Sequence, residues 1–168
     1  MLAMFKTLLF ATFLFAPSLF AIQTSQLTKY GEGEMKVLFW HLYKAELFGS
    51  KTRYSFDDAK LALKITYYRD IDKEDLIEAT ADQWQHIGVT HQNIPKWLDE
   101  LATIWPNIKK NDMLIVTRNE DNSASFFNHQ GLLGTVNDPD FGDAFLNIWL
   151  SEKTTRPKLR AKLVGDKK

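Results

Sequence analysis

The sequence lacks cysteine entirely among its 168 residues. Disulfide bonds, thiol catalysis and a lipid-modified cysteine are therefore excluded. It also lacks an excess of either charge, because 21 basic residues balance 21 acidic ones. With no basic stripe to release counterions from phosphates, nucleic acid is not an expected partner. Glycine (8) and proline (5) are few and form no linker or repeat, so we expect a single folded domain.

A short apolar run lies near the start of the chain. Thr7–Phe15 follows the single cation Lys6, and the small residue Ala21 comes six positions after the run. The run is too short to span a bilayer comfortably. This arrangement predicts a cleaved export signal over residues 1–21, with an uncleaved anchor as the alternative. The domain would then occupy residues 22–168 and be periplasmic or secreted.

Strands come in clusters with helices between them. Apolar alternation predicts strands at Gln23–Thr28, Met35–Phe48, Leu61–Tyr68, Met113–Arg118, Ser123–Asn128 and Leu132–Val136. Helical spacing and cap residues predict helices from Asp72 to about Ile87, from Asn93 to Pro106, over Pro139–Leu150 and near Pro157–Leu163. Gly31-Glu32-Gly33 is expected to be a turn or bulge where a side chain would obstruct. The pattern indicates an α+β domain with helices on one face of a curved antiparallel sheet.

Three segments carry a family resemblance: GEGEMKVLFWHLYKAELF, ITYYRDIDKEDLIEAT and FFNHQGLLGTVNDPDFGDAFLNIWLSEKTTRPKLRAKLV. In this order they resemble the bacterial chalcone-isomerase-like family over nearly the whole chain after residue 21. The resemblance implies an open-faced β-sandwich, in which a large sheet and a helical layer enclose a ligand cleft. It does not by itself transfer an activity.

The plant enzymes of this fold use an arginine, a threonine and a tyrosine to cyclise their substrate. On this chain the threonine position falls at Tyr43, and the arginine position falls in Lys29–Gly33, which contains no arginine. The tyrosine position falls near Leu76. Since the arginine that would stabilise the developing oxyanion is missing, we carry over no catalytic residue.

The resemblance also extends to non-catalytic relatives in which an arginine and a tyrosine hold a fatty-acid carboxylate. Arg69 is the best candidate for that cation here, because it ends an apolar strand next to a helix start. The favoured alternative is an ion pair of Arg69 with Asp70 or Asp72, which would fix the corner between strand and helix. Tyr43, Tyr67 and Tyr68 are candidate phenolic donors. His41 is a candidate acid–base group, with a hydrogen-bonded core histidine as the favoured alternative.

The other chemistry-bearing residues are weaker candidates. His86, His91 and His129 share no ligand spacing, so no metal site is expected, and no motif indicates a cofactor. The tryptophans at 84, 97, 105 and 149 lie in apolar helical patterns and are expected to pack in the core. The basic segment Arg156–Lys168 is expected to be a solvated helix, with weak attraction to an anionic membrane surface as a further reading.

Two hypotheses follow from these observations. The favoured one is an exported, non-catalytic protein that binds a fatty acid or similar amphiphile in the cleft. The alternative is an isomerase or intramolecular lyase with a rearranged site built on Arg69 and a tyrosine. A structural role in an envelope complex is a third reading, although the sequence identifies no protein partner.

Overall fold

The computed structural model describes residues 26–165, and a six-stranded antiparallel sheet forms its framework. The strands lie side by side in chain order, so each pairs with its sequence neighbours. They are β1 (Thr28–Val37), β2 (Trp40–Gly49), β3 (Leu61–Tyr67), β4 (Met113–Arg118), β5 (Ala124–Asn128) and β6 (Gly131–Val136). The predicted export signal, residues 1–21, lies outside the described residues and stays a prediction.

Four helices cover one face of this sheet. They are α1 (Lys73–Ile87), α2 (Ile94–Ile104), α3 (Phe141–Leu150) and α4 (Pro157–Leu163). The core lies between the two layers, where Trp84, Trp97 and Phe141 meet edge to face. Both indoles are satisfied: Trp84 Nε1 donates to the carbonyl of Ala144, and Trp97 Nε1 donates to Asp138. The predicted α+β open-faced architecture is therefore confirmed. None of the helices within residues 26–165 is both long and apolar enough to cross a bilayer.

The boundaries of the predicted long strand were wrong. Met35–Phe48 is not one long strand, because the chain reverses at Leu38 and Phe39 between β1 and β2. The sequence contains no Gly or Asn at this turn, so the usual hairpin signal is missing. Of the predicted first strand Gln23–Thr28, only Thr28 belongs to a described strand, and residues 23–25 lie outside the described range.

The glycines of β1 make room for a helix. A Cβ on Gly31 would lie 1.9 Å from the carbonyl oxygen of Lys162, and one on Gly33 would lie 2.7 Å from Leu159. The expectation that a side chain would obstruct here is confirmed, and a bulge interrupts the register beside Gly31. The segment is nevertheless strand rather than turn. Because Leu159 and Leu163 are buried, α4 packs on the sheet instead of being a solvated helix, which corrects that prediction.

Two helix starts differ in detail from the sequence patterns. Asp72 occupies the N-cap position of α1 without a side-chain capping bond, and Asn107 Oδ1 accepts a hydrogen bond from the amide of Lys73 instead. Likewise α3 begins at Phe141 rather than Pro139. The buried carboxylate of Asp138 still organises this corner, because it accepts hydrogen bonds from Asn93, Trp97 and the amide of Asp140.

Candidate functional site

A cavity of about 520 Å³ lies between the sheet and the helices. Its volume falls within the usual range for small-molecule sites. The walls are mostly apolar, because strands and helices each turn one hydrophobic face toward the gap. The principal apolar wall residues are Leu63, Ile65, Leu114, Val116, Leu76 and Ile148. Such a space suits a hydrocarbon chain.

Two tyrosines place hydroxyl groups at this apolar space. Tyr43 of β2 and Tyr67 of β3 are cross-strand partners whose rings meet edge to face, and both line the cavity. The Tyr43 hydroxyl accepts a hydrogen bond of 2.9 Å from Trp149 Nε1, which leaves its own proton free to donate. The Tyr67 hydroxyl makes no hydrogen bond to any of residues 26–165, although Tyr67 is only 4% exposed.

Both phenols are protonated at neutral pH, and burial raises their pKa values above the ordinary value of 10. It raises the pKa of Tyr43 to about 12, in spite of the opposing effects of the Trp149 hydrogen bond and the charge of Arg156. Burial also raises the pKa of Tyr67 well above its ordinary value, and the nearby Tyr43 adds to this. The two hydroxyls are therefore hydrogen-bond donors rather than anions.

A third donor belongs to an indole of the cavity wall. Trp105 follows the last turn of α2 and packs edge to face against Phe126 and Phe145. Its Nε1 is buried and has no hydrogen-bond partner within the described part of the chain. Buried polar groups are normally paired, but this Nε1 is enclosed by protein and is not open to the cavity, so it is not counted among the donors for a ligand.

Two arginines lie at the exposed margin of the cavity. Arg69 follows β3, and its guanidinium lies 5.4 Å from the ring centroid of Trp40. Arg156 precedes α4, in a segment held by a 2.7 Å hydrogen bond from Thr155 Oγ1 to Gln83. Among residues 26–165, neither guanidinium forms an ion pair with a carboxylate. Both cations are available to a ligand.

Carboxylates border the same margin. The predicted ion pair of Arg69 with Asp70 or Asp72 is wrong, since Asp70 binds Lys109 Nζ at 3.2 Å and the amide of Lys110 at 2.9 Å. The two hydrogen bonds hold the pKa of the Asp70 carboxyl below its usual range, and the bond from the backbone amide of Lys110 has the larger effect. Asp72 and Asp75 also line the cavity. The margin is thus of mixed charge.

The structure divides the predicted site residues into two groups. Tyr43, Tyr67 and Arg69 line the cavity. Tyr68 points to the open face of the sheet, where its hydroxyl donates to Glu34 at 3.1 Å. His41 is exposed and pairs with the same carboxylate at 3.1 Å, so the expectation of a core histidine was wrong.

Sequence reasoning missed several cavity residues. Arg156 was assigned to a solvated tail, and Trp105 and Trp149 were treated only as core residues, whereas all three line the cavity. One signal was present for Arg156: the polar run Thr154-Thr155-Arg156 stands directly before Pro157, at a helix start. The residues the structure describes include no cluster of three His, Asp or Glu side chains that could hold a metal ion.

The comparison with family models decides the family. The model described as chalcone isomerase-like matches residues 16–165. This chain belongs to the chalcone isomerase-like family. An uncharacterized protein of Haemophilus influenzae is 25% identical over 129 residues, which are 77% of this chain but only 63% of that protein. The chain therefore spans less than two thirds of this relative's length.

A solved structure shows the same fold. The crystal structure of a fatty-acid binding protein from Arabidopsis thaliana matches with a TM-score of 0.64 over 84% of this chain and 88% of that one. The two sequences are 12% identical. At that identity, the similarity shows the shared chalcone isomerase-like fold and not the ligand.

Proposed function

We propose that this protein is an exported, non-catalytic member of its family that binds a fatty acid or a similar amphiphile in the cavity. The observation that carries the proposal is an apolar cavity lined by two phenolic donors with unused capacity, the hydroxyls of Tyr43 and Tyr67. A hydrocarbon chain would fill the apolar walls. An acidic head group would accept hydrogen bonds from the donors.

The head group is expected at the tyrosine side of the cavity. Arg156 and Tyr43 line the same cavity, and the charge of Arg156 partly opposes the rise of the Tyr43 pKa, so a carboxylate bound near the Tyr43 hydroxyl would also interact with that cation. A guanidinium can bind a carboxylate through two parallel hydrogen bonds. Arg69 provides a second cation at the margin, next to Asp72 and Asp75. The fatty-acid binding activity of the Arabidopsis protein of the same fold supports this reading by analogy.

The position of Lys29 argues against the isomerase alternative. It is the cation within Lys29–Gly33, where the family's enzymes would place their arginine. Its ammonium group is occupied by Glu32 and by Glu46, the latter at 2.8 Å. Lys29 does not line the cavity. The electrostatic stabilisation that cyclisation needs is therefore not provided from β1.

Native mass spectrometry of protein purified without detergent tests the proposal directly. We expect a population carrying an extra mass that solvent extraction identifies as a fatty acid or related amphiphile. Each additional methylene buried in the cavity should strengthen binding by about 0.8 kcal/mol, or about fourfold in Kd, until the cavity is filled. A clean apo mass, together with no rise in melting temperature across a fatty-acid panel, would contradict the proposal.

A pair of neighbouring substitutions on α1 locates the binding site. Ala79 and Glu78 are both exposed, but only Ala79 lines the cavity. Ala79→Trp should weaken fatty-acid binding at least tenfold by filling the mouth of the cavity. Glu78→Trp adds the same side chain outside the cavity and should leave binding unchanged. Equal effects of the two variants would place the ligand elsewhere.

A further inference from the structure

The β1–β2 hairpin ends in an apolar tip, Val37–Trp40. Leu38 is 87% exposed, Phe39 is 95% exposed and Trp40 is 64% exposed. Val37 is 38% exposed, so four consecutive apolar side chains face water. An isolated exposed apolar residue needs no explanation, but a contiguous patch usually marks an interaction surface.

The backbone of this tip is unfavourable for its residues. Leu38 adopts a φ of 54°, in the left-handed region. Two-residue hairpin loops favour glycine, asparagine or aspartate at such positions, because other side chains clash with the backbone there. A leucine and a phenylalanine at this turn serve neither the turn geometry nor the core. Their side chains are therefore explained by a contact outside the chain.

The tip lies next to the margin of the cavity. The Trp40 ring stacks under the guanidinium of Arg69, which itself lines the cavity. Met35 and Leu42, just inside the tip on the two strands, also line the cavity. A surface that binds the tip would therefore lie next to the margin where a ligand enters the cavity.

We propose that the tip Val37–Trp40 inserts into the interface of a lipid bilayer and holds the cavity margin against it. Tryptophan stacked with a cation is well suited to this depth, because the ring prefers the boundary between acyl chains and head groups while the cation meets phosphate. Arg69 has no carboxylate partner among residues 26–165, so its charge is complementary to a lipid phosphate.

A bilayer fits the tip better than a protein partner does. A stable protein interface buries about 800 Å² on each side, whereas the two aromatic residues of the tip, at roughly 150–250 Å² each, supply roughly 300–500 Å² of such an area. A narrow protrusion of this kind can enter a fluid lipid layer without a shaped partner. The surrounding charges are mixed: Lys36 pairs with Glu34, and Asp72 lies at the margin. Insertion should accordingly depend on the apolar tip more than on anionic lipid.

Because the chain has no cysteine, single labelling sites test the proposal. The full chain carrying Phe39→Cys with an environment-sensitive NBD label is mixed, without added fatty acid, with vesicles of phosphatidylcholine and phosphatidylglycerol. We expect at least a twofold rise in emission, with a blue shift. Leu132→Cys, at a 60% exposed apolar residue of β6, is the matched control and should not respond. The double variant Leu38→Ser/Phe39→Ser should reduce vesicle binding through this surface at least tenfold.

The labels separate tip insertion from the other outcomes. If residues 1–21 merely tether the chain to vesicles, the two labels will respond equally or not at all, and the proposal is overturned. A Phe39→Cys signal that grows with protein concentration in the absence of lipid would assign the tip to a second copy of this chain. The NBD emission is measured without fatty acid. A failure of the protein to bind fatty acid, as tested with Ala79→Trp, would therefore not affect the test of membrane insertion.

Discussion

Replacing Tyr67 with phenylalanine should separate ligand binding from folding, because it should weaken binding without lowering the stability of the apo protein. Tyr67 lies in β3, only 4% exposed, and its hydroxyl makes no hydrogen bond to residues 26–165. In a purely structural protein, a hydroxyl that borders a cavity without a partner does nothing for stability. In a binding protein, it is a donor held ready for a ligand.

The magnitudes follow from this geometry. Burying a hydroxyl without a partner costs about 1–3 kcal/mol in proteins. Since the Tyr67 hydroxyl borders a cavity rather than packed carbon, Tyr67→Phe should leave the unfolding free energy of the apo protein unchanged or raise it by up to about 1 kcal/mol. A hydrogen bond to a charged carboxylate contributes about 1.5–3 kcal/mol, so fatty-acid binding should weaken by about 10-fold to 150-fold.

Tyr43→Phe is the matched comparison. It removes the same atom from the cross-strand partner, but the Tyr43 hydroxyl accepts a hydrogen bond from Trp149 Nε1 at 2.9 Å. Loss of this acceptor leaves the indole unpaired, so the variant should lose about 1–3 kcal/mol of stability. It should also bind the ligand more weakly. Only Tyr67→Phe is expected to lose affinity without losing stability.

Urea denaturation of the apo proteins and displacement of a fluorescent fatty acid measure the two quantities. If Tyr67→Phe lowers the unfolding free energy by more than about 1 kcal/mol, the hydroxyl serves the fold and the reasoning fails. If its ligand affinity stays within twofold of the original protein, the hydroxyl is not a head-group donor.

The remaining predictions concern stability and activity. Burial by itself would raise the pKa of Asp58, but hydrogen bonds from Ser50, Tyr30 and two backbone amides outweigh it and hold the pKa at about 2, below its ordinary 3.8. The ionised Asp58 carboxylate should therefore stabilise the folded protein by about 2 kcal/mol above pH 4. This stabilisation should be lost as the pH falls toward 2. The stability gap between the original protein and Asp58→Asn, followed by urea melts, should narrow over that window; a constant gap would contradict the prediction. Gly31→Ala should lower the free energy of unfolding by about 1–3 kcal/mol, because the added Cβ would overlap the carbonyl of Lys162. An unchanged urea midpoint would show that α4 shifts to accommodate the methyl group without loss of stability. A chalcone should cyclise no faster with the protein than spontaneously, and any protein-dependent rate would revive the isomerase hypothesis.

The sequence predicted much of the architecture because local patterns determine it. Alternating apolar residues in Leu61–Tyr68 and helical spacing after Asp72 gave elements within a residue or two of those observed. The β1–β2 turn was missed because Leu38 and Phe39 continue the apolar pattern of the strands on either side. A turn made without turn residues cannot be recognised from local chemistry.

The site was predicted less well than the fold. The alternation of strand side chains implies that Tyr67 and Tyr68 face opposite sides of the sheet, but not which of them faces the helices. Arg156 lies 87 positions after Arg69 in the chain, and no local pattern relates them.

The sequence by itself determined the family and the α+β order of elements, because periodicity, turn residues and the glycines of β1 act over a few neighbouring positions. Only the tertiary structure decided which polar groups share a cavity. The packing of α4 on β1 places Arg156 at the same cavity as Tyr43, and the pairing of β2 with β3 sets the rings of Tyr43 and Tyr67 beside each other. Such contacts join distant parts of the chain, so they arise from the packing of the whole domain rather than from any one segment.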